Sequence, residues 1–383
     1  MCFGPLEVAY DLDAARGVVT RERIAAGPAS IWRYADLLPD HGGHPVDLGA
    51  GWTPLRRADR LAAELGLDEL WLKDDTRNPT GSFKDRVVSC ALSSAQRLGF
   101  TTAACASTGN LATSVAAHAA ALGWPSVTVI PSDLEKSKVA MTAIFGGTVL
   151  AVDGNYDDVN RLCAELVDSH PDWAFANVNL RAYYAEGSKT LAYEIAEQLG
   201  WQLPAQVLAP IASGSQLTKI AKGFREFREL GLVSGELPTM FGAQAAGCSP
   251  VASALADGTN VIRPVKPNTI ARSLAIGNPA DGPYAIDIAN RTGGSIAAVN
   301  DTEIVEGIKL LAETEGVFTE TAGGTTIAVL KKLVEQGKIN PEERTVAYIT
   351  GNGLKDPDTA SRLIGEIRTS DATVAGVRRA LGW

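Results

Sequence analysis

A single lysine lies inside the stretch Pro79-Thr80-Gly81-Ser82-Phe83-Lys84-Asp85-Arg86, where residue types and spacing could do chemistry. The apolar run Leu70-Trp71-Leu72 precedes it, and Val88, Leu92, Ala95 and Leu98 follow at helical spacing, so Lys84 falls at a strand-to-helix corner. Ser82 followed by Asp85 reads as a helix N-cap. Lys84 then sits in the first helical turn, where unpaired N–H groups and the positive dipole end disfavour a further cation and favour the neutral amine. A neutral amine condenses with aldehydes, and the aldehyde most often held this way by enzymes is pyridoxal phosphate. A solvated lysine paired with a carboxylate is the competing reading of this stretch alone.

Four further loops carry small polar residues. Ser107-Thr108-Gly109-Asn110 follows the run Ala103-Ala104-Cys105-Ala106 and opens a helix, so its N–H groups and hydroxyls suit an anion such as a carboxylate; a plain N-cap would look the same. Ala212-Ser213-Gly214-Ser215-Gln216 also lies between an apolar run and a helix, and small residues there let the backbone wrap a phosphate. It is neither a P-loop nor a G-x-S-x-G elbow. Glu320-Thr321-Ala322-Gly323-Gly324-Thr325-Thr326 reads as a third loop or a tight helix–sheet turn. Thr350-Gly351-Asn352-Gly353-Leu354-Lys355-Asp356 follows the last expected strand and could be a turn demanding positive φ at its glycines. A phosphate ester, a carboxylate and a reactive lysine in one cleft are what pyridoxal phosphate bound to an amino acid requires.

The elements that must position these loops alternate short apolar runs with helices, the pattern of parallel strands joined by crossover helices. Residues 80–178 read as one open α/β unit, with strands at Ala103-Ala104-Cys105-Ala106, Val127-Thr128-Val129-Ile130 and Val149-Leu150-Ala151-Val152. A second, larger unit takes residues 1–79 and 179–383, with helix 191–199, strand 207–211, helix 217–227, strand 240–245 and strand 345–349; a strand is also expected at Leu6-Glu7-Val8-Ala9-Tyr10. A chain of 383 residues is long for one core, and the two units should face each other across a cleft, where α/β proteins keep their sites.

Composition narrows the classes. A formal charge of −9 gives no electrostatic footprint for nucleic acid or anionic membrane, and no apolar run approaches membrane length. A cytosolic protein is expected. Five widely spaced cysteines argue against a disulfide framework or a thiolate metal site, and four histidines form no HExxH pair, so no metal is expected.

Gly51-Trp52-Thr53-Pro54-Leu55, Ser82-Phe83-Lys84-Asp85-Arg86, Ala106-Ser107-Thr108-Gly109-Asn110, Glu186-Gly187-Ser188-Lys189-Thr190, Ser273-Leu274-Ala275-Ile276-Gly277-Asn278-Pro279 and Ile349-Thr350-Gly351-Asn352-Gly353-Leu354-Lys355-Asp356 occur in this order across nearly the whole chain. Together they resemble the threonine synthases, within the fold-type II pyridoxal phosphate enzymes (the tryptophan synthase β-like α/β fold). The resemblance implies two open α/β domains with the cofactor in the cleft between them. It implies Lys84 as covalent anchor and proton carrier, Asn110 on the cofactor's 3′-oxygen, Ser213, Gly214, Ser215 and Gln216 on its phosphate, and Thr350 at the pyridine nitrogen. A hydroxyl there, unlike a carboxylate, leaves the ring a milder electron sink and favours elimination over transamination. Ser107 and Thr108 would cradle the substrate carboxylate. The family's substrate is O-phospho-L-homoserine, and Asn179, Arg181 and Lys189 would grip its phosphate. Family members are commonly homodimers.

Three departures stand against the family pattern. The phosphate loop lacks the Gly-Asn-rich form, the spacing from Arg181 to Glu186 differs from the commoner Asn-Pro-x-Arg pattern, and the cysteine-bearing leader of longer relatives is expected to be lacking, with any metal it binds. Alternatives are a paralogue of the threonine or serine dehydratase or cysteate synthase type, and a catalytically silent binding protein on the same scaffold.

Overall fold

The computed structural model describes residues 6–39, 43–107, 109–132, 136–154, 156–361 and 367–383. Among the described residues, ten strands form two sheets: β1 (Leu55–Arg57), β2 (Leu70–Asp74), β3 (Thr102–Ala106), β4 (Ser126–Pro131), β5 (Thr148–Val152), β6 (Trp173–Phe175), β7 (Gln206–Pro210), β8 (Thr239–Ala245), β9 (Ile296–Val299) and β10 (Thr345–Ile349). The larger sheet has the order β1-β2-β10-β7-β8-β9 and the smaller β5-β4-β3-β6. All pairs are parallel except β1 with β2.

Parallel strands must be covered on both faces, and the side-chain period of two divides each strand between two cores. On β7, Leu208 packs with Leu72, Phe241 and Ala347, while Val207 and Ala209 pack with Met240, Val346 and Tyr348. On β3, Ala103 and Cys105 turn one way and Ala104 and Ala106 the other. The Thr321–Glu335 helix covers the first face of the larger sheet, and Ser215–Glu229 and Gly282–Arg291 the second.

Three expectations are corrected. Leu6 to Tyr10 forms no strand; this segment packs on the larger unit, with the Glu7 carboxylate on Lys219 and Lys222 and the Tyr10 ring beneath Lys189. Residues 321–326 are helical rather than a loop, because Glu320 is the N-cap of Thr321–Glu335. Gly351 and Gly353 do not take positive φ. They are glycines for room: a methyl group at Gly351 would collide with the Glu320 carboxylate, and one at Gly353 with the Phe318 ring.

Candidate active site

Lys84 opens the Lys84–Arg97 helix, at the corner its spacing suggested. The cap differs from expectation. Phe83 holds the N-cap position with no side-chain bond, and the buried Ser82 hydroxyl has no partner among the described residues. The Asp85 carboxylate instead ties the preceding loop, accepting from Thr80 N and Oγ1, each at 2.7 Å, and from Ser114 Oγ at 2.6 Å. The corner is then laced to the loop after β10: Phe83 N donates to Thr350 O at 2.9 Å, Asn352 N to Gly81 O at 2.9 Å, and Lys355 Nζ to Thr80 O at 2.8 Å.

Behind the corner, the fully buried Arg86 donates to both oxygens of Asp75 and both oxygens of Glu194, and to Thr53 and Thr190. Lys73 adds a second cation, 2.6 Å from Glu194. Trp52 N and Thr53 N also donate to Glu194, which is why Gly51 and Trp52 sit at positive φ, 87° and 47°. Burial acts to raise the Glu194 carboxyl, but Arg86 and Lys73 outweigh it and hold it down to about 2. Every charge in the cluster is therefore paired, as buried charges require. The cluster fixes the first turn of the lysine helix against β2.

The Lys84 ammonium lies 2.8 Å from the Tyr184 hydroxyl, between the Phe83 and Tyr184 rings at 4.6 and 5.5 Å. Asn110 begins the Asn110–Leu122 helix after β3, and its Nδ2 donates to Glu320 Oε1 and Oε2 at 2.9 and 3.0 Å. Glu320 also donates its own N–H to Gly351 O at 3.0 Å, which ties the partner of Asn110 to the residue after Thr350. Burial holds the Glu320 carboxyl above its usual range, against the opposing Asn110 bond and the Lys355 charge. Ser107 is half-buried beside this helix start; Thr108 lies outside the described residues.

Ser213 to Gln216 wrap the start of the Ser215–Glu229 helix after β7. Gly214 has φ +97°, and a Cβ there would lie 2.8 Å from Asp281 O, so only glycine lets the loop pass. The N-cap Gly214 has no side chain to cap the helix, Ser213 Oγ accepts from Ser215 N at 3.3 Å, and the buried Gln216 Nε2 has no partner among the described residues. Asp281 closes one side: its N donates to Ser213 O at 3.0 Å, and its carboxylate pairs with Arg181 at 2.6 Å.

Two expected substrate residues lie elsewhere. Lys189 is fully buried, donating to Leu37 O at 2.9 Å and Glu226 at 3.2 Å and ion-paired with Glu186 at 2.8 Å, so its charge is already met inside the core. Its i,i+3 spacing from Glu186 was the sequence signal for this pairing. Asn179 is exposed and spends its amide on Trp173 O at 3.0 Å, closing the turn after β6. Arg181 is at the loop, but engaged by Asp281. Tyr184, Asp281 and Glu320 were not singled out from sequence; Tyr184 and Asp281 carry no motif, and Glu320 stood inside a segment taken for a loop.

The residues fit pyridoxal phosphate. A helix start capped by a glycine, with an orphaned amide donor and that glycine pressed against neighbouring backbone, suits a phosphate ester, and the lysine suits the aldehyde.

Comparison with known proteins agrees. Residues 46–351 match the family model described as pyridoxal-phosphate dependent enzyme. The chain is 40% identical to the threonine synthase of Methanocaldococcus jannaschii, over 94% of this chain and 89% of that one, and 37% identical to the threonine synthase of Methanosarcina acetivorans, over 99% and 93%. The fold is shared with maize serine racemase (TM-score 0.66, 22% identity, 81% of this chain and 92% of that chain) and with the processed form of threonine deaminase isoform 2 from Solanum lycopersicum (TM-score 0.67, 21% identity, 81% and 86%). With a lysine at the strand-to-helix corner and relatives matched over most of both chains, the chain belongs to the pyridoxal-phosphate dependent enzymes, and within them to the threonine synthases.

Proposed function

We propose that the chain converts O-phospho-L-homoserine and water into L-threonine and phosphate, with the reacting centre at Lys84. The observation that carries the choice of a phosphorylated substrate is Arg181. Its guanidinium, 34% exposed and paired with Asp281, stands next to the Ser213–Gln216 loop, so that a second phosphate could take it over from the carboxylate.

Lys84 would anchor the cofactor, Ser213, Gly214, Ser215 and Gln216 would hold its phosphate, Asn110 its ring oxygen and Thr350 its ring nitrogen. When bound, pyridoxal phosphate supplies the electron sink that makes the substrate Cα–H acidic. The Lys84 amine then removes the Cα proton and afterwards a Cβ proton, and returns protons to Cγ and Cα as the methyl and α positions of threonine form. Phosphate leaves Cγ with the bonding pair. Water bonds to Cβ through its oxygen and gives up one proton, which the departed phosphate takes. Tyr184, 2.8 Å from Lys84 Nζ, orients the amine for these transfers. Ser107 and Thr108 would receive the substrate carboxylate at a helix N-terminus.

In this reading residues 1–79 with 179–383 and residues 80–178 work as two bodies that close on substrate. The division is supported by the strands: β3 to β6 make one sheet and the remaining six strands the other. A cytosolic homodimer is the assembly carried forward, to be checked by light scattering.

The test is an end-point assay with O-phospho-L-homoserine, recording phosphate and amino-acid product, with Lys84→Ala as the blank. Phosphate and threonine appearing together, and neither in the blank, is the expected result. Phosphate with a keto acid would assign a dehydratase-type paralogue instead. No phosphate from protein carrying the cofactor would overturn the proposal.

A further inference from the structure

Glu320 is a buried carboxylate at a place where the sequence pattern promises only a turn. It is 8% exposed and faces Asn110 from the Asn110–Leu122 helix, Lys84 from the Lys84–Arg97 helix, and Lys355 and Asp356 from the segment after β10. Its position is fixed from three sides. Its own N–H bonds to Gly351 O at 3.0 Å, the neighbouring Thr319 Oγ1 donates to the same oxygen at 2.9 Å, and the missing side chain of Gly351 makes its room. The bonds from Asn110 Nδ2 to its two oxygens are nearly equal, 2.9 and 3.0 Å, as when one N–H is shared by both oxygens of a carboxylate. The second N–H of that amide is left for another acceptor.

We propose that Glu320 is a positioning residue for the cofactor: it locks the plane of the Asn110 amide so that the free N–H meets the cofactor's ring oxygen, and it sets a fixed carboxylate near that oxygen. The proposal rests on the reading that Asn110 faces the cofactor. A carboxylate bonded to one donor of an amide settles which end is nitrogen, since the amide oxygen would be repelled. A nearby anion disfavours loss of a proton from the cofactor, and so holds its titration at higher pH. Lys355 opposes this effect and Asp356 reinforces it, while Lys84 as the anchor belongs to the titrating group itself, so the size of the shift reads the sum of Glu320, Lys355 and Asp356.

The experiment uses the full chain. Apoprotein of the wild type, Glu320→Gln and Asn110→Ala is titrated with pyridoxal 5′-phosphate by visible absorbance. The loaded proteins are then titrated with acid and base, and the apoproteins are melted. Glu320→Gln is expected to bind the cofactor about tenfold more weakly, the size of one charge-assisted hydrogen bond. The pH midpoint of its visible band is expected to fall by roughly one unit, while the melting temperature of the apoprotein stays in place. Asn110→Ala should weaken binding at least as much. If Asn110→Ala binds weakly but Glu320→Gln keeps wild-type affinity and midpoint, the role of Glu320 is overturned and that of Asn110 stands. If Asn110→Ala itself binds as wild type, the underlying reading falls and takes the proposal with it. Weaker binding by Glu320→Gln with a lowered melting temperature and an unmoved pH midpoint would mean a structural carboxylate only, and also overturns it.

Discussion

The hydroxyl of Tyr184 and the ammonium of Lys84 are 2.8 Å apart, although one lies on the Arg181–Glu186 helix after β6 and the other at the corner after β2. One link therefore joins the segment that follows the smaller sheet to the Lys84 amine. Replacing Tyr184 by Phe keeps the ring stacked near the lysine and deletes only the hydrogen bond. We expect kcat to fall by about tenfold to a hundredfold through lost orientation, with cofactor content unchanged by absorbance. A Phe variant with wild-type kcat would remove Tyr184 from the mechanism.

Arg86 should dominate stability among the charged residues. It is fully buried, and its removal leaves Asp75 without its counter-ion and Glu194 with Lys73 alone. Arg86→Ala is expected to cost roughly 3–5 kcal/mol in urea unfolding, the penalty for stranding a buried charge. A loss under about 1 kcal/mol, as for a surface pair, would contradict the paired-charge account.

Acid should unfold the protein through two carboxylates. Glu194, and likewise Glu186 between Lys189, Lys219 and Lys222, are held to about 2 against an ordinary 4.5, burial opposing and the cations prevailing. A folded value below the unfolded one means that their stabilisation is complete above pH 4.5 and drains away as pH falls towards 2. Melting temperature recorded from pH 6 down to pH 2.5 should therefore bend downward near 4.5. A flat profile to pH 3 would show that the clusters do not hold the fold.

Arg181 and Asp281 should pull substrate binding in opposite directions. Arg181→Ala is predicted to raise KM for O-phospho-L-homoserine by about tenfold or more, the loss of a charge-assisted phosphate contact. Asp281→Asn releases the guanidinium, and should strengthen competitive inhibition by inorganic phosphate. Equal KM values for wild type and Arg181→Ala would send the phosphate to other residues.

How far the sequence could be read depended on whether a residue's partner was local. Lys84 at its corner followed from Leu70, Leu72, Val88 and Leu92, because periodicity is written in neighbouring residues. The α/β class followed in the same way. Lys189 was misread because its partners Leu37 and Glu226 are far away in sequence, and a lysine beside a motif looks free until they are seen. Leu6 to Tyr10 alternates like a strand, yet its side chains answer to lysines more than two hundred residues away, Lys219 and Lys222. Gly351 and Gly353 showed that a glycine can be demanded by a neighbour's bulk as much as by its own φ; nothing local separates the two. Short strands such as β6 and β9 have too few residues to display a period.

The order of strands also sets a timetable for synthesis. β10, the last strand made, fills the middle of the larger sheet between β2 and β7 rather than an edge. Until residue 345 has left the ribosome, β2 and β7 have no shared neighbour, and the apolar side chains of both faces stay exposed in the nascent chain. The smaller sheet has no such gap, since its strands are consecutive. Nascent chains stalled before β10 should show protease protection over residues 102–175 and none over β2 and β7; early protection of the larger unit would refute this. Chaperone demand should accordingly be greatest just before β10 emerges.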